Sequence, residues 1–556
     1  MTETKRKTRI PRVHSTPILK ALHRTFRTYY DAIKYLYNQT AQEEHPRYKI
    51  DTFTLKRMEY LLSLVGNPQT KFETVHIAGT TGKGSTATML AKMLEANGYK
   101  VGLYTSPHIV HLHERITVNS QMISDSEMLG LLNRLYEPIE KVSKDSPPTF
   151  FDMMTTIAFM YFADMKVDIA VIETGLGGRL DSTNVITPKV VGITSLSIDH
   201  QHQLGNTIDS IAKEKAGIFK PGVPIITVQQ HPEAMRVLKS QAAAVKAPLS
   251  VTGKDIDFSY RFETSRKNGP HMRICLTTPT SKFEHLRVPL QGRHQAINCG
   301  LALVMLDKLK SMGYEIDPEK AAVGLANVSL PGRMEMICDN PLIMVDGAHN
   351  AASIEALIYA IGQNIPYDSM VVIFGCNSDK DIRGMLHQLQ YGADKVIFTR
   401  SNSVKAMPPQ ELADIYTEIC GKMYQTAVNL AEALRLAKSA VGKEDLICIT
   451  GSYYLIGQAK YFCAEYAENK NAESAASVNS ALAENRKAKD TKKFTSNETV
   501  LNIWLADDIT SKEITQLIEA FELLHTHLTG VSPRIISVNM DQSIKLPMRK
   551  LDERHS

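Results

Sequence analysis

Residues 76–86 read HIAGTTGKGST. An apolar, β-like run ends here in glycines, threonines and a lysine, and a helical pattern follows at once. Gly79, Gly82 and Gly84 would let successive backbone N–H groups converge on one anion, at a helix N-terminus whose dipole favours negative charge. On that reading Thr80 and Thr81 complete the loop, Lys83 reaches the β- and γ-phosphates, and Ser85 or Thr86 offers a hydroxyl to Mg2+. The strict G-x-x-x-x-G-K-[ST] pattern is not met, because Ile77 holds the first glycine position and Gly84 follows the lysine. A glycine-rich turn with an exposed lysine therefore stays open as the alternative.

The flanks of this loop predict the fold. TVHIA precedes it as a short strand, and a helix follows from Ser85 to about Ala96, with Met89, Leu90, Met93 and Leu94 as its buried stripe. Asn97-Gly98 closes that helix, and KVGLYTS supplies the next strand, which makes a βαβ unit. Upstream, two helical runs lie between Tyr29 and Val65, the second with Leu55, Met58, Leu61 and Leu62 on one face. Downstream, residues 151–163 and IDSIAKEKAGIF read as helices, and VDIAVIET, VVGITSLS and VPIITV as strands. Their continuous Val/Ile content predicts a mainly parallel sheet covered on both faces. Between about 250 and 290 the alternation in DFSYRFET, HMRICLTT and HLRVPL predicts a small antiparallel insert.

A second α/β alternation begins after residue 330, with PLIMVDGAHN, SMVVIFG, DKVIFTR and DLICITGS as strands. From about Glu468 to Glu498 apolar periodicity is lost, as in a linker. Beyond it NIWLA and RIISVNM read as strands around ITQLIEAFELLHTHL, a helix that Thr510 and Glu513 can cap. The expected organisation is a basic extension at 1–27, a central domain at 28–330, a second domain at 331–466, a linker at 467–498, and a small appendage at 499–556 for interaction or packing.

At 556 residues the chain exceeds what one core organises. Its 43% hydrophobic and 22% charged residues suit a soluble globular protein, and no stretch approaches the roughly 18 apolar residues of a membrane span. The net charge of +5 is small, but Lys5, Arg6, Lys7, Arg9, Arg12, Lys20, Arg24 and Arg27 face only Glu3 near the N-terminus. A disordered extension is the simplest reading, with organelle targeting or contact with an anionic surface as alternatives. No basic patch interleaved with aromatics supports nucleic-acid binding. The seven widely spaced cysteines contain no C-x-x-C pair, which argues against a disulfide framework and a zinc site and for a reducing, cytoplasmic setting.

Further segments decide what the loop is for. GLYTSPHIVHLHERITVN at 102–119, VIETGLGGRLDSTNV at 171–185 and ITSLSIDHQHQLGNTIDSIAKEKAGIFK at 193–220 accompany GTTGKGS. GRHQAIN at 292–298, LPGRME at 330–335, VDGAHN at 345–350, FGCNSDKD at 374–381 and TGSYYLIG at 450–457 follow in order. Together these resemble the folate branch of the Mur ligase superfamily, dihydrofolate synthase/folylpolyglutamate synthase, from about Tyr29 to Tyr466. Residues 1–27 and 468–556 lie outside the resemblance. Gly84 after the lysine is the form that branch uses, with Ser85 in the hydroxyl role.

The resemblance implies a P-loop central α/β domain, a smaller Rossmann-like second domain, and an ATP-dependent ligase that joins L-glutamate to dihydropteroate, to reduced folates, or to both. A carboxylate is a poor electrophile, so the γ-phosphoryl group activates it as an acyl phosphate, which the amine attacks. Two Mg2+ ions would be held by Ser106, Glu173, His200 and Lys215, the last as a carbamylated lysine. Gln295 and Asn298 would sit near the adenine and ribose, and Arg333 and Asp346 would contact the phosphates and the transferring group. His349 and Ser452 would bind glutamate or the acyl phosphate, and Asp181 and Ser182 the pterin-bearing acid. Ser182 stands where the branch usually has alanine, and Thr174 where valine is common. The expected protein is a cytoplasmic monomer without nucleic-acid or membrane partners. A cell-wall Mur ligase or an inactive nucleotide-binding regulator are the competing readings, and the complete set of chemical residues weighs against the second.

Overall fold

The computed structural model describes residues 26–43, 55–142, 147–265, 269–288, 290–463, 500–504 and 535–539. The chain divides into two compact units, Met1–Ala467 and Glu468–Ser556.

The first unit contains a sheet of eight strands: β1 Glu73–Ala78, β2 Val101–Tyr104, β3 Ile116–Val118, β4 Gln121–Met122, β5 Ile169–Glu173, β6 Val190–Ile193, β7 Ile225–Thr227 and β8 Leu249–Val251. Their order is β4-β3-β2-β5-β1-β6-β7-β8. All neighbours run parallel except the β2-β3-β4 edge, which is antiparallel. Helices α1 Tyr29–Glu43, α2 Leu55–Leu64, α3 Lys83–Ala96, α4 Asp125–Lys141, α5 Phe150–Asp164, α6 Gln201–Leu204, α7 Ile208–Ala216, α8 Pro232–Ala244 and α9 Arg293–Ser311 surround it.

Strand alternation assigns neighbouring residues to opposite cores. Ile169 and Val171 of β5 pack with Met89, Leu90, Met93 and Leu94 of α3 and with α9. Ala170 and Ile172 pack on the other face with α5 and with Met58, Leu61 and Leu62 of α2. Both faces are covered, so every residue of β5 is buried.

Three further strands, β9 Asp257–Ser265, β10 Gly269–Thr277 and β11 Lys282–Val288, form the antiparallel insert that the alternation predicted. Its Met272, Ile274 and Leu276 join the core around α9.

The other large sheet comprises β12 Glu335–Asp339, β13 Leu342–Val345, β14 Met370–Phe374, β15 Lys395–Phe398, β16 Tyr424–Thr426 and β17 Leu446–Thr450, in the order β12-β13-β17-β14-β15-β16. Only β12 is antiparallel to its neighbour. The four expected strands form its interior, and the sequence reading missed both edges. It also missed β3, β4 and α4. The capping box Ser124/Glu127, which opens α4, was a usable signal.

In the second unit, β18 Val500–Trp504 and β19 Ile535–Asn539 pair in parallel. The expected helix with its Thr510/Glu513 cap, the linker at 467–498, and all but two residues of the basic extension lie outside the described residues. Among the described residues no helix is long and apolar enough to cross a membrane. All seven cysteines are unpaired, with Cys299, Cys376 and Cys448 buried and the other four half-buried.

Candidate active site

The C-terminal ends of β1, β2, β5 and β6 open into a cavity of about 1100 Å3, which residues from the six-stranded sheet close from the other side. A crevice at the carboxyl ends of parallel strands is where α/β sheets bind ligands. The candidate residues from the sequence line this one cavity, from Gly79–Ser85 to Ser452, except Thr86, the alternative to Ser85, which is buried and does not line it.

The glycine-rich loop expected to bind phosphate joins β1 to α3. Gly82 has φ 90° and caps α3, so the helix starts at Lys83, two residues before the expected Ser85. A Cβ on Gly82 would come within 2.2 Å of Asn298 Oδ1, and one on Gly84 within 3.2 Å of Glu173 Oε2. The glycine after the lysine therefore admits the Glu173 carboxylate to the loop. Lys83 Nζ donates to the Thr80 carbonyl at 3.4 Å and lies 3.8 Å from Glu173 Oε1. From α9, Gln295 Nε2 donates to Ser85 Oγ at 3.4 Å and Asn298 Nδ2 to Gln295 Oε1 at 3.2 Å. Both side chains thus lie against the phosphate loop itself.

Glu173 ends β5 and is 3% exposed, and its Oε2 accepts the Ser106 N–H at 3.0 Å. Burial raises its carboxyl above the usual range, against the pull of Lys83 and that N–H. Lys215 on α7 donates from Nζ to the Gly79 carbonyl at 2.8 Å. Burial, with Lys83 nearby, brings its amine down to about 7. His200 has φ 50°, and its Nε2 lies 3.3 Å from Lys380 Nζ. Burial lowers its imidazole to about 4. Among the described residues no three His, Cys, Asp or Glu side chains gather as a metal cluster. Ser106 and Glu173 touch each other, whereas the contacts of His200 are with Asp199 and Lys380.

On the facing wall, Asp346 follows β13, its Oδ2 accepting from Met334 N at 2.9 Å and its Oδ1 from Ala348 N at 2.8 Å. Burial raises its carboxyl, opposed by Arg333. Arg333 bonds the Tyr453 hydroxyl and lies over that ring at 5.1 Å. His349 Nδ1 sits 2.8 Å from the Gly347 carbonyl, which can only accept, so Nδ1 carries the hydrogen. Burial and Lys380 hold this imidazole neutral, down to about 4. Ser452 Oγ accepts the Tyr454 N–H at 3.2 Å.

Asp199 and Lys380 escaped the sequence reading, although both fall inside quoted motifs. Asp199 accepts from Lys380 Nζ at 3.0 Å and Asn350 Nδ2 at 3.1 Å, and lies 3.7 Å from His349 Nε2. Burial alone would raise its carboxyl, but His200, Lys380 and His349 hold it well below the usual range. Some 180 residues separate Asp199 from Lys380, so no local pattern pairs them. Tyr453 and Phe151 also line the cavity unforeseen.

A glycine-rich loop at a helix N-terminus, facing a second wall rich in Arg, Asp and His, suits an enzyme that spends a nucleotide to activate an acid. Residues 77–306 match the Mur ligase middle domain, and residues 332–453 match the Mur ligase glutamate ligase domain. The chain is an ATP-dependent ligase of the Mur type. The dihydrofolate synthase/folylpolyglutamate synthase of Bacillus subtilis is 36% identical over 411 residues, 73% of this chain and 94% of that protein. The dihydrofolate synthetase of Saccharomyces cerevisiae is 34% identical over 427 residues, 73% of this chain and 96% of that protein. The fold matches a Mycobacterium tuberculosis folylpolyglutamate synthase complexed with ADP at TM-score 0.72 and 30% identity, over 78% of this chain and 99% of that one. It matches E. coli FolC in complex with DHPP and ADP at TM-score 0.70 and 25% identity, over 80% and 99%. The chain belongs to the dihydrofolate synthase/folylpolyglutamate synthase family of Mur ligases.

Proposed function

We propose that this ligase joins L-glutamate to dihydropteroate and to the glutamyl tail of reduced folates through an acyl phosphate, releasing ADP and phosphate. The observation that carries this is the single cavity in which the phosphate loop, the Asp181 loop, and Arg333, Asp346, His349 and Ser452 all meet.

An oxygen of the acceptor carboxylate attacks the γ-phosphorus, and the bond from that phosphorus to ADP breaks. The neutral glutamate amine then attacks the acyl carbon, and the C–O bond to phosphate breaks as the amide forms. Lys83 and the loop N–H groups offset charge on the transferring group from one side, and Arg333 does so from the other. The planar guanidinium of Arg333 suits two phosphate oxygens at once. Gln295 and Asn298 brace the loop that holds the nucleotide. Neutral His349 and Ser452 orient glutamate, and Asp181 holds the pterin-bearing acid.

The donors fit Mg2+, which prefers oxygen. Glu173 is a buried carboxylate aimed into the cavity beside Ser106, and Lys215 Nζ is buried one hydrogen bond from the phosphate loop. Carbamylation of Lys215 would add a second carboxylate, and His200 joins the set on leaving Lys380. When bound, Mg2+ would neutralise phosphate charge. We place the domain division near residue 330, in the gap between the two family matches. A cytoplasmic monomer suits a chain that supplies both cavity walls and carries seven unpaired thiols.

The test is phosphate release from ATP with Mg2+ and L-glutamate, run with dihydropteroate, with a tetrahydrofolate, and with no acceptor. Release with both acceptors supports the bifunctional reading, and release with one narrows it to that substrate. Release with neither overturns it.

A further inference from the structure

Arg57 of α2 takes no part in the chemistry above, yet it is 7% exposed and its guanidinium runs into Asp152 of α5. Nε donates to Asp152 Oδ2 at 2.8 Å, and Nη2 lies 2.7 Å from the same oxygen. That oxygen also accepts the Thr149 N–H at 2.9 Å, while Oδ1 accepts the Ser182 hydroxyl at 2.6 Å. Four donors, from α2, from the N-cap of α5 itself and from the loop after β5, thus converge on one carboxylate that is 2% exposed. Removing either partner of a buried ion pair leaves a costly unpaired charge, so Arg57 and Asp152 hold each other, and what is bonded to them, in place.

What is attached is the acceptor side of the cavity. Ser182 and its neighbour Asp181 end the cavity-lining loop that starts at Gly175, and Phe151, next to Asp152, lines the cavity too. Gly175 lies so close to the Phe151 ring that a Cβ there would approach Cζ to 2.4 Å. Asp181 is held from within its own loop, accepting from Leu176 N at 2.8 Å and Thr183 N at 3.0 Å. The loop is therefore stiff in itself, and Ser182 is the hydroxyl that ties it to the helix carrying the aromatic ring.

We propose that Ser182, held by the buried Arg57–Asp152 pair, is a positioning residue that sets the spacing between the Asp181 loop and the Phe151 ring, and so sets the affinity for the aromatic acid acceptor. This rests on the assignment of the acceptor to the Asp181 side. Ser182→Ala removes one donor and leaves the ion pair intact, so the fold survives. Asp152→Asn, the second variant, weakens the anchor from the other end.

The test is full kinetics of the whole chain with dihydropteroate, ATP and glutamate varied in turn, together with calorimetric binding of dihydropteroate in the presence of ADP. Ser182→Ala is expected to raise the dihydropteroate KM and Kd about tenfold, because the loosened loop then has to be ordered on binding. The KM for ATP and kcat should stay within about twofold. In the Asp152→Asn background the same substitution should have a smaller effect than in the wild type, because both weaken the Ser182–Asp152 contact. An unmoved dihydropteroate KM, an equal rise for ATP, or full additivity of the two variants would overturn the proposal. A wild-type chain that turns over no acceptor overturns the functional reading and this inference together, whereas a normal wild type with an unmoved variant overturns this inference alone.

Discussion

The two walls of the cavity are held by different kinds of contact. On the eight-stranded sheet, charged groups are fixed by backbone: Lys215 on the Gly79 carbonyl at 2.8 Å and Glu173 on the Ser106 N–H at 3.0 Å. On the six-stranded sheet, Asp346 and His349 also rest on backbone, but Arg333 leans on Tyr453, and Lys380 and Asn350 both reach across the cavity to Asp199. Backbone contacts hold these groups in place before a ligand enters, so we expect the wall assigned to the nucleotide to be preorganised. Side-chain contacts across the cavity exchange readily when a new anion or amine arrives, so we expect the second wall to rearrange on substrate entry and that step to gate turnover.

Breaking the preorganised wall should have the larger consequences. Chelation of divalent cations is expected to abolish phosphate release, with Mg2+ restoring it and circular dichroism unchanged throughout. Lys83→Ala and Glu173→Gln should each lower kcat about a thousandfold, the effect of removing one preorganised charged group. Folding of both variants is checked by thermal melts. Asp199→Asn sharpens the contrast, because it loosens chiefly the contacts between the walls, with Lys380, Asn350 and His349. It should lower kcat/KM for glutamate about tenfold to a hundredfold while the Kd for ATP, measured by calorimetry, moves little. An equal effect on ATP would mean that the walls are not separately organised. The smallest effect is expected from ending the chain at Ala467, where the second compact unit begins. Acceptor-dependent kcat/KM should then stay within about twofold.

The sequence exposed the preorganised wall far better than the rearranging one. Strand, glycine loop, helix and strand follow one another between residues 73 and 104, so local periodicity was enough to predict that unit. Gly84 was legible only as a departure from the strict loop pattern; its reason, room for Glu173, is a contact across 89 residues. Strands β3, β4 and β16 had too few residues for alternation to register, and β12 is interrupted by an irregularity between Met336 and Cys338. Asp199 and Lys380 each resemble an ordinary surface charge, and only the folded chain makes them partners. Ser182 was noted as a departure from the family pattern, but its partner Asp152 could not be named from spacing.

The most direct test of the central claim follows one oxygen. Dihydropteroate labelled with heavy oxygen in its carboxylate is incubated with the enzyme, ATP, Mg2+ and L-glutamate, and the released phosphate is analysed by mass spectrometry. The account predicts one labelled oxygen in each phosphate, carried over when the C–O bond of the acyl phosphate breaks. Unlabelled phosphate alongside formation of the amide would contradict it.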